Sequence, residues 1–206
     1  MVTLDTIEIK RKILHLAHTF WILIFLLCYF WFGRTFTILF AVFSLLVVLV
    51  AEFARLELGV KPGYIFSVRK DEAKKPVATV MLFTSSILVF AVFDLRIATA
   101  ALLMTTFGDA ISGLVGMKYG KVRVLRGNPK TLEGTLAGFC INLILATLVF
   151  FVFFPLTPWL FSLAFIVFMP FIASVVELFT NKIDDNLTVP VFTAFAGQLL
   201  LILLML

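Results

Sequence analysis

The stretch FGDAISGLVGMKYG, residues 107–120, continues an apolar run with a carboxylate: Asp109 stands among Gly108, Ala110, Ser112, Gly113 and Gly116. An aspartate near the centre of a membrane-spanning helix costs about 3 kcal/mol on insertion scales. Whether this helix crosses a membrane, and what offsets that cost, is decided by the residues around it.

The chain has 206 residues, of which 62% are hydrophobic and 14% charged, with a mean hydropathy of +1.14. A soluble chain of this size is roughly half apolar and a quarter charged. Here the apolar residues come in blocks and the charges fall in the gaps. This pattern predicts an all-α polytopic membrane helix bundle, a single membrane-embedded domain over residues 1–206. There is no room for a separate soluble catalytic domain, so any chemistry must use helix ends and short loops.

Apolar runs long enough to span a bilayer lie near 15–32, 35–51, 77–93, 96–117, 134–154, 159–176 and 190–206, about seven in all. The first follows a basic patch, as a signal peptide would. Its core carries the bulky Trp21, Phe25, Tyr29, Phe30 and Trp31, and no small-residue cleavage site follows, so it reads as a retained helix.

Fifteen basic residues fall on one side of these spans, and only Arg34 and Arg96 on the other. The positive-inside rule then places the N-terminus in the cytoplasm. Membrane orientation accounts for the pI of about 9.4 and calls for no nucleic acid. Cys28 and Cys140 each lie inside an apolar run and are expected to be buried free thiols.

Four polar clusters share the cytoplasmic face. The first is IKRKILHLAH, with Arg11, Lys12, His15 and His18. Basic residues before a first span set topology, and the two histidines, three apart, share one helix side without a third metal ligand nearby. The second is SVRKDEAKKP, with Arg69 and Glu72, a charge run of the kind usual in solvated loops. Glu52 and Arg55, at the end of the second span, are placed to pair with each other.

The third cluster joins residues 107–120 to KVRVLRGNPKTLEGTLAG. Gly108, Ser112, Gly116 and Gly120 recur every fourth residue, which suits tight helix packing. Packing does not require Asp109, and an ionisable residue inside a span is a functional candidate by default. Gly108, Gly113 and Gly116 would let a ligand or metal approach the backbone. In NPKTLEGT, a helix N-terminus faces the same compartment, where free N–H groups and the dipole favour anions. Lys130 adds a point charge, with Arg123 and Arg126 just upstream. Thr131 can cap the helix or donate to a phosphate oxygen, and Glu133 suits a first turn. No P-loop motif is present.

The fourth is ELFTNKIDDNLTVP, with Glu177, Asp184, Asp185, Asn186 and Thr188. Asp and Asn before a helix are common caps, and Pro190 suits a first turn. Two adjacent carboxylates and an amide exceed the needs of one cap, and such hard oxygen donors suit Mg²⁺ beside substrate phosphates. One cytoplasmic face therefore carries the groups that would hold Mg²⁺ and a polyphosphate. The remainder of the chain is hydrocarbon, so the second substrate is expected to be a lipid. The residues do not name the nucleotide.

The blocks RKILH, RKDE, GDAISGLVGMKYG…NPKTLEGTLAG and DDNLTVP resemble, over nearly the whole chain, the CTP-dependent lipid-alcohol kinases. That family includes dolichol kinase, phytol kinase and yeast-type diacylglycerol kinase. The resemblance implies CTP as phosphate donor, a divalent cation and a membrane lipid alcohol as acceptor: dolichol, another polyprenol, a shorter isoprenoid alcohol or diacylglycerol. The GD…KTLEG half is also similar to phosphatidate cytidylyltransferase, but the NKIDDNLTVP ending departs from that family's basic-acidic signature.

On this resemblance, residues 1–206 form a kinase domain that moves the γ-phosphoryl of CTP to a lipid hydroxyl. Asp109, Asp184 and Asp185 are the candidates for Mg²⁺ or for orienting the attacking hydroxyl. Lys130 and Thr131 are the candidates for the phosphates, supported by Arg11, Lys12, Glu133 and Asn186. Cytidylyl transfer is the alternative within CTP chemistry. A small transporter is the alternative outside it, disfavoured because Asp94 is the only acidic residue on the far side. The charge pattern predicts that a reporter fused after Leu206 reads as external and one inserted within 118–132 as cytoplasmic. Both on one side would contradict it.

Overall fold

The computed structural model describes residues 6–60, 78–124, 128–153, 158–180 and 183–206, with the backbone alone described for 6–12 and 14. The helices are α1 (Thr6–Glu57), α2 (Ala78–Val92), α3 (Leu95–Tyr119), α4 (Leu132–Thr147), α5 (Trp159–Phe179) and α6 (Asp185–Met205). A π-helical turn, Leu148–Phe153, continues α4. Among the described residues the only β-pairing is a single antiparallel bridge between Arg123 and Thr131.

α1 covers the first two expected spans and breaks at Gly33, whose φ of 80° and ψ of 173° are not helical. A side chain would be strained at that φ. Nothing lies within 4 Å of a Cβ added there, so backbone conformation alone demands the glycine. The rings of Trp21 and Phe40 lie 5.3 Å apart, whereas a straight helix would separate those residues by about 28 Å. The chain therefore folds back at Gly33. Arg34 pins the reversal by donating from Nη2 to the Ala91 carbonyl at 2.5 Å.

The stretch His15–Glu57, α3, Leu132–Phe153, α5 and α6 are each long and apolar enough to cross a membrane, while α2 has 15 residues. The outer faces expose large apolar side chains such as Phe43, Phe53, Phe171 and Leu203, as an integral membrane protein requires. α3 lies at the centre and touches every other helix. Its buried Ala98, Ala100, Ala101, Gly108 and Ala110 are small enough to let neighbours close around it.

Two expectations change. α6 begins at Asp185 rather than at Pro190, because Asp184 caps it by accepting from the Asn186 N–H at 2.9 Å. Pro190 then sits in the second turn and cannot donate to the Asn186 carbonyl. Ser85 Oγ takes that carbonyl instead, at 2.7 Å. Cys140 is exposed and Cys28 half-buried, both as free thiols. Cys140 projects from α4 about 200° away from Gly138, which faces α3.

The C-terminal ends of α3 and α5 and the N-terminal ends of α4 and α6 meet at one end of the bundle. At the other end Asp94 caps α3, pairs with Arg96 at 2.8 Å and donates its own N–H to Gln198 Oε1 at 2.9 Å. Burial pushes the Asp94 carboxyl up. The hydrogen bonds and charge of Arg96 outweigh that effect and hold it below its ordinary value. Gly33→Ala should lower stability by about 1–3 kcal/mol, the cost of a side chain at positive φ with extended ψ, read as an earlier thermal transition in detergent. An unchanged transition would mean that the reversal does not need a left-handed residue.

Candidate functional site

The site is built on a seam between α3 and α4. Gly108, Ser112 and Gly116 run against Asn142, Gly138 and Gly134 in antiparallel order. A Cβ on Gly134 would lie 2.6 Å from the Ser112 carbonyl oxygen, and one on Gly108 would lie 2.7 Å from Asn142 Oδ1. A Cβ on Gly116 would meet Thr131 Oγ1 at 3.1 Å. The space beside Gly108 and Gly116 is thus filled by α4, and both glycines serve helix packing. Gly113 lies half-buried on α3, one turn beyond Asp109.

This seam sets polar side chains from five segments at one end. His15 Nε2 of α1 lies 3.6 Å from Asp109 Oδ2, with both side chains largely buried. Three residues on, Ser112 Oγ donates to Glu177 Oε1 of α5 in a short hydrogen bond. Lys130 Nζ donates to the Glu177 carbonyl at 2.5 Å and to Asp185 Oδ2 at 3.1 Å. A chain of contacts therefore runs from α1 through α3 and α5 to the loop before α4 and the start of α6.

The loop that carries Lys130 is held at both ends. Asn128 donates from Nδ2 to the Leu178 carbonyl at 2.8 Å and accepts from the Lys130 N–H at 3.1 Å. The Arg123–Thr131 bridge is closed by Leu132 N–H to the Val122 carbonyl at 2.8 Å. Both Glu133 oxygens share the Val122 N–H at 3.3 Å. Thr131 caps α4 by accepting from the Gly134 N–H at 3.3 Å.

Asp109, Lys130 and Asp185 are brought to one end, with Thr131 and Glu133 beside them. Asp184 is used as the α6 cap, and its Oδ1 also accepts from Asn186 Nδ2 at 2.7 Å. Asn186 itself is buried at the α6 start. Glu52 and Arg55 do pair, at 2.6 Å. The side chains of Arg11 and Lys12 lie outside the described residues, as do Arg69, Glu72 and Arg126. Among the described residues no three His, Cys, Asp or Glu side chains form a ready-made metal cage.

Glu177, His15, Ser112 and Asn128 were not assigned to the site from sequence. Their signals were present but weak: an acid closing an apolar run, a histidine one turn after a basic patch, a serine in a glycine stripe, and an asparagine before proline. None reveals its distant partner: Asp109 for His15, Glu177 for Ser112, Leu178 for Asn128 and Lys130 for Glu177 each lie at least 47 positions away.

No protein-family model and no solved structure matches the chain. It is similar to curated phytol kinases of plants. It is 26% identical over 149 residues to a probable phytol kinase 1, chloroplastic, of Glycine max, covering 67% of this chain and 49% of that protein. It is 27% identical over 140 residues to phytol kinase 1, chloroplastic, of Arabidopsis thaliana, covering 64% and 46%. The chain thus spans about half the length of these relatives. Ser112→Ala leaves the buried Glu177 oxygen without its donor and should cost about 1–3 kcal/mol of stability. Adding Glu177→Met should recover most of that loss in thermal unfolding, and strictly additive losses would contradict the pairing.

Proposed function

We propose that this chain is a CTP-dependent kinase that transfers the γ-phosphoryl group to the hydroxyl of a membrane lipid alcohol. A single isoprenoid chain is the preferred acceptor. The observation that carries this reading is the convergence of Asp109, Glu177, Lys130 and Asp185 at one end of an otherwise apolar bundle. The similarity to phytol kinases supports it. In the same reading the chain crosses the membrane seven times, its N-terminus is cytoplasmic and the polar end faces the cytoplasm.

Phosphoryl transfer needs positioning and charge neutralisation more than covalent chemistry from the protein. Lys130 would hold the polyphosphate, with the α4 N-terminus and Arg123 beside it. Asp109 and Asp185 offer hard oxygens, and Mg²⁺ is commonly bound through one or two carboxylates together with substrate phosphates. These residues fit a cation that arrives with the nucleotide. When bound, it would neutralise charge on the β- and γ-phosphates. The acceptor oxygen attacks the γ-phosphorus as the bond to CDP breaks, and the hydroxyl proton passes to a carboxylate of the site. His15 Nε2, 3.6 Å from Asp109 Oδ2, would flank the Asp109 carboxylate in that role.

Purified protein in nanodiscs, given CTP, Mg²⁺ and a panel of lipid alcohols, tests the reading. Label in the γ-position should enter the lipid, and CDP should accumulate. Asp109→Asn should insert normally and lose nearly all of this activity. Label from the α-position in lipid, with pyrophosphate released, would mean cytidylyl transfer instead. Absence of CTP binding in the presence of Mg²⁺ would overturn the kinase reading and favour a transporter.

A further inference from the structure

The outer surface between α5 and α6 is indented by a groove of about 420 Å³ whose lining side chains are all apolar. Phe168, Ile172 and Val176 form the α5 wall, and Phe192, Ala196 and Leu203 run along the α6 wall. At 100° per residue, Asp185, Phe192, Ala196 and Leu203 fall within about 20° of one line on α6. Following the α6 wall toward the polar end therefore leads to the Asp185 carboxylate. Lys130 reaches that carboxylate at 3.1 Å and the carbonyl of Glu177, the residue after Val176, at 2.5 Å. The groove lining thus stops at Val176 on α5, next to Glu177, and at Phe192 on α6, about 10 Å along the helix from Asp185. An apolar groove open to lipid therefore points toward the cation and carboxylate of the candidate site.

From Phe192 to Leu203 the groove extends about 16 Å along the helix, roughly half of a hydrocarbon core about 30 Å thick. The matching ligand is an amphipathic molecule with an extended hydrocarbon chain and an oxygen at one end. We propose that the α5–α6 groove binds the chain of the acceptor lipid and delivers its hydroxyl to the Lys130–Asp185 end, so that chain length selects the substrate. The identity of the head group rests on the proposed kinase reading; the location of the chain does not. The remaining outer faces are apolar too, but the alignment with Asp185 distinguishes this one.

The test combines kinetics with labelling, in nanodiscs of phosphatidylcholine. Ala196→Trp fills the middle of the groove and should raise KM for a long prenol about tenfold, with a smaller rise at each step down a series of shorter prenols. Ala196→Leu, the milder change, should follow the same order with a smaller effect, which guards against misfolding of the larger variant. Equal losses at every chain length, or none, would overturn the groove. Separately, a prenol carrying a diazirine at mid-chain should label α5 and α6 within 168–203, and unlabelled prenol should compete. Labelling spread evenly over the outer helices, as by bulk lipid, would overturn it. If the wild type phosphorylates no prenol, the isoprenoid acceptor of the proposed function fails, and the labelling pattern alone decides the groove.

Discussion

α3 and α4 approach to backbone contact along Gly108, Ser112, Gly116, Gly134 and Gly138, and the geometry of the polar end depends on that approach. Apolar side chains gain nothing by leaving lipid for another helix, so association rests on close packing of small residues. With α4 drawn onto α3, Ser112 reaches Glu177 of α5 beside Gly138. The loop before α4 then carries Lys130 over the end of α5 to Asp185. A larger residue at Gly134 would push against the Ser112 backbone, a contact that cannot yield as a flexible side chain can.

The seam also explains how ionisable groups are kept in an apolar bundle. A buried charge is tolerated when it is paired and hydrogen-bonded. Asp109 has His15, Glu177 has Ser112, and Asp185 has Lys130. The opposite end carries a smaller arrangement, the Asp94–Arg96 pair with Gln198, which caps α3 and ties it to α6. The molecule is thus polar at both ends but unequally so. Among the described residues, carboxylates from three different helices gather only at the end where α4 and α6 begin.

Much of this was legible in the sequence, because lipid imposes long apolar runs and confines charge to the gaps. The helices α3, α4 and α5 begin within two residues of their expected starts, and the break between the first two expected spans coincides with Gly33. The small-residue stripe on α3 announced the seam. What sequence could not supply was partnership. His15 and Asp109 are 94 positions apart, and Ser112 and Glu177 are 65 apart. The start of α6 was misplaced because proline marks a first turn by default, whereas here a serine on α2 takes the carbonyl that Pro190 leaves free. Local residue preference could not see that hydrogen bond.

On the proposed reading, the gathered polar end forms a nucleotide site rather than a set of structural ion pairs. Equilibrium binding of CTP with Mg²⁺ to the intact protein in nanodiscs addresses it most directly, with Lys130→Met compared against wild type at equal thermal stability. A charge-assisted hydrogen bond to a phosphate oxygen contributes about 1.5–3 kcal/mol, so Lys130→Met should weaken binding at least about tenfold. Undiminished CTP affinity in a stable Lys130→Met protein would contradict the account and leave Lys130 as the strut between α5 and α6.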